Sequence, residues 1–183
     1  MTDRSNTSKA SAQNETESRR KARPADPCAM VIFGAAGDLT KRLLVPALYN
    51  LSRTGVLPDS FTLVGVDLAD GSTESWRDHL HDMLESFLDD ADAEFDIDRI
   101  DPEVWQRLAA GMRYLQGDLT DAGAYAKIRD TLQDVEKSTQ GNVIFYLAVA
   151  DRFFGTVIDH LGEAGLTDET GREGWRRVII EKP

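Results

Sequence analysis

The sequence predicts an α/β chain organised as a doubly wound parallel sheet, and three observations predict it. After residue 27, short apolar runs alternate with longer stretches of helical periodicity. The longest apolar run, Val143–Val149, suits a central strand buried on both faces, as parallel sheets require. The first run, Ala29–Phe33, turns on Gly34 and Gly37 and passes straight into a helix, the junction at which open parallel sheets place their ligands.

Residues 1–27 are polar, offer almost nothing to bury, and read as a disordered tail. They lack the apolar stretch of a secretory signal, and Asp3, Glu15 and Glu17 interrupt the basic residues that a transit peptide would keep free of acids. The basic cluster Arg19-Arg20-Lys21 reads as part of that solvated tail. Residues 28–183 form the domain. Strand one is followed by a helix from Asp38 to Arg53 with Leu39, Leu43, Leu44, Ala47, Leu48 and Leu51 on its inner side; Pro46 predicts a bend in it. Gly55 and Pro58 then break the chain. Strand two is Phe61–Asp67. A loop over residues 68–71 leads to Ser72 or Thr73 as cap of a helix from Glu74 to Leu88, with Trp76, Leu80, Met83, Leu84, Phe87 and Leu88 in one stripe. Asp89–Asp101 is acidic and aperiodic; it lacks the glycine and ligand order of a calcium loop and reads as a solvated connection. A short helix over Pro102–Ala110 precedes strand three, Met112–Gly117. Helices over Ala122–Lys137 and Arg152–Ala164 flank strand four, and Arg177–Glu181 is strand five.

Composition narrows the function classes. The chain has 183 residues, enough for one domain with a real core. A formal net charge of −11 argues against nucleic acid and against an anionic membrane surface as partners. No apolar run approaches the length of a membrane span. Cys28 is the one cysteine, so no internal disulfide forms, and low cysteine use fits a reducing cytoplasm. No Gly-x-x-x-x-Gly-Lys-Ser/Thr string of an ATPase and no Gly-x-Ser-x-Gly elbow of a hydrolase occurs. The histidines read as structural: His79 and His81 are two apart on a helix and point to different faces, and His160 lies on another helix.

The candidate site is the turn Gly34-Ala35-Ala36-Gly37-Asp38-Leu39-Thr40-Lys41. Glycines let the backbone approach an anion, and the unpaired amides of a first helical turn point at it. Lys41 and Arg42 stand where the helix dipole disfavours cations, a cost that an anionic ligand offsets; the other reading is that both point into water.

Gly34 to Leu51, GAAGDLTKRLLVPALYNL, resembles the N-terminal signature of glucose-6-phosphate dehydrogenases. Phe145-Tyr146-Leu147-Ala148 and the ending Arg177-Val178-Ile179-Ile180-Glu181-Lys182-Pro183 agree with it, in the same order along the chain. The resemblance implies a Rossmann-like dinucleotide-binding domain with NADP or NAD as cofactor. It also implies D-glucose 6-phosphate as the intact enzyme's substrate, association of that enzyme into a homo-oligomer, and a cytoplasmic place in the pentose phosphate pathway. The family carries a proline where Pro46 stands. It contacts the cofactor's adenosine half after strand three, where Asp118 and Leu119 lie; a turn or helix-cap role is the other reading of Asp118. Its Glu-Lys-Pro lysine, matched by Lys182, touches both sugar phosphate and nicotinamide.

The departures are as informative. The family usually has an arginine just after strand two; Leu68 stands there, with Asp67, Asp70 and Glu74 around it. An acid at the end of strand two hydrogen-bonds the ribose of NAD, and beside a 2′-phosphate it is a like-charge contact, so Asp67 favours NAD; a surface acid capping a turn is the alternative. Arg77 or Lys41 is in range of a phosphate in this reading. Where the family often has two prolines after its Phe-Tyr-Leu-Ala strand, Val149-Ala150-Asp151 intervenes. The family's catalytic base, a histidine in a motif resembling Arg-Ile-Asp-His-Tyr-Leu-Gly-Lys, has no counterpart, so this stretch reads as an N-terminal piece that binds cofactor and turns nothing over. Two other readings compete. A short-chain dehydrogenase needs a Tyr-x-x-x-Lys pair, and none of Tyr49, Tyr114, Tyr125 and Tyr146 has one. A stand-alone nucleotide-sensing or interaction domain explains the missing base.

Overall fold

The computed structural model describes residues 23–88 and 97–181. The predicted tail up to residue 22, most of the acidic connection, and Lys182 and Pro183 lie outside the described residues. Among the described residues there are five strands: β1 (Cys28–Phe33), β2 (Phe61–Asp67), β3 (Met112–Gln116), β4 (Val143–Leu147) and β5 (Arg176–Ile180). The helices are α1 (Val45–Arg53), entered through a π-helical turn at Thr40–Leu44, α2 (Thr73–Ser86), α3 (Pro102–Ala110), α4 (Ala122–Thr139), and α5 (Phe154–Glu163), entered through a 3₁₀ turn at Asp151–Phe153.

The strands form one parallel sheet in the order β3-β2-β1-β4-β5. The chain winds outward from β1 to β3, then crosses back to lay β4 on the other side of β1. The winding therefore reverses between β1 and β4, and the crevice beyond their C-terminal ends is where such sheets bind ligands. Side chains alternate across β1. Ala29, Val31 and Phe33 face α4 and α5 with Val64, Val66 and Phe145, while Ile32 faces α1, α2 and α3 with Leu63 and Tyr146. Both faces of β1 are closed, each fully buried large side chain being worth about 1.5–3 kcal/mol. On the edge strand β5, Val178, Ile179 and Ile180 remain exposed.

The helix after the glycine turn runs over Asp38–Arg53 as the periodicity predicts, but buries a different face. Val45, Pro46, Leu48, Tyr49 and Ser52 are buried, whereas Leu43 is 48% and Leu51 39% exposed, and Ala47 is exposed as well. The cause is the π turn, in which the Val45 amide donates to the Thr40 carbonyl five residues back. One extra residue in that turn advances every later side chain by one helical position. Pro46, which has no amide to donate, follows directly, and the π turn is the irregularity this helix carries there.

Other boundaries differ by a few residues. β4 ends at Leu147, and β5 begins at Arg176. Ser72, one of the two candidates, is the α2 cap: its hydroxyl accepts from the Ser75 amide, and the Ser75 hydroxyl accepts from the Ser72 amide in return. Asp101, predicted as the end of a solvated connection, caps α3 through the Glu103 amide. The last residues of the predicted tail are held by the fold: the Ala25 amide donates to Val56 O at 3.0 Å, and Asn142 Nδ2 donates to Pro27 O at 2.9 Å.

Candidate functional site

The turn after β1 is fixed by its neighbours on every side. Gly34 has φ +92°, and a Cβ there would lie 2.4 Å from the Ala148 carbonyl oxygen just past β4, so only glycine fits. The Gly34 and Ala35 amides both donate to Val66 O of β2, at 2.9 and 3.1 Å. The Gly37 amide closes the turn onto Gly34 O at 3.0 Å, and the buried Thr40 hydroxyl donates to the same oxygen at 2.8 Å. From α2, the Trp76 indole N–H reaches Ala35 O at 3.3 Å. Gly65, in the middle of β2, makes room for that indole: a Cβ there would come within 2.6 Å of the ring. Trp76 and Gly65 are the bracing residues that sequence reasoning missed, the one local signal being a glycine inside a strand; Thr40, expected there as part of the anion site, braces the turn through its hydroxyl.

Asp67 reaches the glycine turn. Its Oδ2 accepts from the Ala36 amide at 2.8 Å and its Oδ1 from the Ala69 amide at 3.1 Å. The carboxylate thus ties the β1 turn to the loop after β2, which is the turn-capping role; each oxygen keeps a further lone pair for a ligand. The Ala36 amide is accordingly spent inside the protein. The amides of Asp38, Leu39 and Thr40 lie in the first helical turn, where no intrahelical acceptor precedes them, and Thr40 itself is buried. Leu68 beside Asp67 is 67% exposed.

Asp118 and Leu119 sit after β3. Asp118 Oδ1 accepts from the Thr120 amide and the Thr120 hydroxyl, both at 2.8 Å, and these bonds hold its carboxyl below the usual carboxylate range. Asp118 is therefore a turn residue, and Asp121, not Asp118, caps α4. Leu119 leans on the core, and its carbonyl accepts from the Tyr125 hydroxyl at 2.8 Å. Arg77 points away from the glycine turn: it donates to Met112 O at 2.7 Å, at the start of β3 and so at the opposite end of the sheet. Across the crevice, the Tyr146 hydroxyl of β4 donates to the Glu181 carboxylate; burial, and next that carboxylate, push the phenol up to about 12. Lys182 follows Glu181 and lies outside the described residues.

Beside the glycine turn, a cleft of about 300 Å³ opens toward α2, lined by Ala36, Lys41, Asp70, His79 and Tyr114 among others. On the α2 surface, His81, Asp82 and Glu85 each bring one ligand atom to within 4.8 Å of one another. The His81 ring packs 5.2 Å from that of Trp105, and the His160 ring 4.9 Å from that of Tyr125.

A family model described as the NAD binding domain of glucose-6-phosphate dehydrogenase matches residues 31–183. The chain belongs to that family. It is 36% identical over 167 residues to glucose-6-phosphate 1-dehydrogenase 2 of Mycobacterium tuberculosis, covering 90% of this chain and 31% of that protein. Against the glucose-6-phosphate 1-dehydrogenase of Leuconostoc mesenteroides, identity is 34% over 157 residues, 84% of this chain and 29% of the relative. Two solved structures superimpose with a TM-score of 0.69 each. One is glucose-6-phosphate 1-dehydrogenase from Mycobacterium avium, at 27% identity, covering 87% of this chain and 30% of that one; the other is a glucose-6-phosphate dehydrogenase in complex with its substrate glucose-6-phosphate, at 25% identity, covering 88% and 31%. The chain spans about a third of the length of the relatives it matches. Among the described residues, no helix is long and apolar enough to cross a membrane.

Proposed function

We propose that residues 28–183 are the cofactor-binding part of a glucose-6-phosphate 1-dehydrogenase, whose intact form oxidises D-glucose 6-phosphate to 6-phosphoglucono-δ-lactone with NAD or NADP as hydride acceptor. The observation that carries this is the turn Gly34–Thr40, set at the crevice where the strand order reverses, with a glycine that a Cβ would block. The residues fit a dinucleotide. The first helical turn after Gly37 offers the place of a diphosphate, Lys41 stands in the same turn, and Asp67 lies at the end of β2, the ribose position of such sheets. Bound there, the nicotinamide supplies the hydride acceptor; this part of the chain supplies binding and orientation.

The finer assignments rest on the same geometry and on the family. Asp67 favours NAD, because its carboxylate lies where a 2′-phosphate brings like charge. Asp118 and Leu119 border the adenosine half, and Lys182 carries the charge for the sugar phosphate. The intact enzyme is a cytoplasmic homo-oligomer of the pentose phosphate pathway, and a net charge of −11 supports the exclusion of nucleic acid and membrane partners. The 183-residue chain binds cofactor without turnover.

Calorimetric titration of the folded chain with NAD and NADP tests the reading. Binding of a pyridine nucleotide is expected, with Asp67→Asn improving NADP relative to NAD. A folded chain that retains neither at millimolar concentration sinks it.

A further inference from the structure

The outer edge of β5 is open, and the pattern of its free groups is specific. β5 pairs with β4 on one side only. The Val143 amide of β4 donates to Trp175 O at 2.9 Å, and Val143 lies opposite Arg176 in the register. Because the backbone alternates along a strand, Arg177 and Ile179 turn their N–H and C=O groups to β4, and Arg176, Val178 and Ile180 turn theirs outward. Arg176 is already closed: its amide donates to Glu169 Oε1 at 2.6 Å, and its carbonyl accepts from Arg177 Nη1 at 2.7 Å. Val178 and Ile180 each keep an outward donor and acceptor with no partner among the described residues. Their side chains, and that of Ile179 on the other face, are exposed as well.

The order of residues along this edge is complementary to itself when reversed. Around Ile179 stand Val178 and Ile180, then Arg177 on one side and Glu181 on the other. In an antiparallel pair of two such strands centred on Ile179, Val178 lies opposite Ile180 of the other copy, and the two exchange both of their outward backbone bonds. Ile179 meets its own copy. Arg177 meets Glu181, on the face that Tyr146 shares, as a pair of opposite charges at a close-spaced position. Glu169, by occupying the Arg176 amide, ends the pairing there.

We propose that the β5 edge is a docking surface for a second copy of this chain, the two β5 strands pairing antiparallel about Ile179 to make one sheet through both copies. The contact uses the same patch on each copy, so it closes on a twofold axis and stops at a dimer. It satisfies the outward groups of Val178 and Ile180 and covers the exposed apolar side chains, as strand addition at a sheet edge does. The surface is small, so the dimer is weak, with a dissociation constant on the order of 1–100 μM. The inference goes beyond the dinucleotide reading, and neither outcome of its test bears on cofactor binding at the glycine turn.

The test is sedimentation velocity of the whole 183-residue chain across a concentration range of about 1–200 μM, joined to amide hydrogen exchange at both ends of that range. Wild type is expected to pass from monomer to dimer and no further, with the Val178 and Ile180 amides slowing as it does and the Arg176 amide, already bonded to Glu169, unchanged. Ile179→Lys sets like charges against each other on the twofold axis and is expected to weaken association more than about tenfold. Arg177→Glu and Glu181→Arg, each alone, are expected to weaken it, and the two together to restore it, which a loss of local structure would not do. A wild type that stays monomeric throughout overturns the proposal. So does a dimer that survives Ile179→Lys with the Val178 and Ile180 amides unprotected, or association that grows past the dimer without a plateau.

Discussion

The turn after β1 and the turn after β3 open at the same end of one sheet, yet they are held in different ways. The first is fixed from outside: β2 accepts two of its amides, Asp67 a third, Trp76 of α2 bonds Ala35 O, and the backbone past β4 closes on Gly34. The second closes largely on itself, Asp118 accepting twice from Thr120 two residues on, with the Tyr125 hydroxyl as its tie to α4. A turn fixed by three neighbours is held in place before a ligand arrives, so less ordering entropy opposes binding. A self-closed turn can lose one member and leave the rest of the fold intact.

The largest expected effect is at Gly34. Gly34→Ala places a Cβ on the Ala148 carbonyl at positive φ, and is expected to cost roughly 2–4 kcal/mol in urea unfolding and to abolish dinucleotide binding. Wild-type stability in that variant would remove the contrast between the two turns. Next is Gly65→Ala, which drives a methyl into the Trp76 ring and is expected to cost about 1–3 kcal/mol, with a shift in tryptophan emission as the indole leaves Ala35 O. Unchanged emission and stability would show that the indole is not a brace.

Alkaline pH sharpens the comparison from the other side. Burial, and next Asp118, push the Tyr125 phenol up to about 12, alongside Tyr146 at about 12 and the buried Cys28 thiol at about 11. In each case the folded state keeps a proton that the unfolded chain has already released. Their contribution is therefore complete below the ordinary thiol and phenol values and is lost as pH rises toward 12. Urea midpoints are expected to fall over that window, and amide exchange to quicken at Leu119 before it does at Gly34. A midpoint flat to pH 12 would contradict this.

The smallest effect belongs to Asp118→Ala. The carboxyl is fully exposed, and its lowered pKa means that its contribution is present above the ordinary carboxylate value and lost as pH falls through the lowered one. Wild type and variant are expected to differ slightly at neutral pH and to converge in acid. A large neutral-pH loss in thermal unfolding would mean that the second turn, too, is braced by the rest of the fold.

Much of this was legible beforehand, where the signal is local. Apolar runs marked all five strands, and the limits of the helix over Asp38–Arg53 were readable from its periodicity and breakers. Its buried face was not, because the π turn at Thr40–Leu44 displaces the repeat on which the reading depended. Gly34 and Gly37 marked the turn after β1. That Asp67 bonds the Ala36 amide of this turn was not readable, because the bond joins residues 31 apart and depends on the pairing of β1 with β2. Arg77 was misjudged because reach along a helix says nothing about which end of the sheet the side chain meets.

The sequence by itself determined the alternation of strands and helices, the glycine junction, the charge balance and the family, since each is written in neighbouring residues or in ordered motifs. Tertiary structure alone decided which atoms of the turn remain free for a ligand, which acid is spent on an amide, and that Lys41 and His79 line one cleft. Those outcomes depend on strand order and helix rotation. Both are set by packing among distant segments, which no local period records.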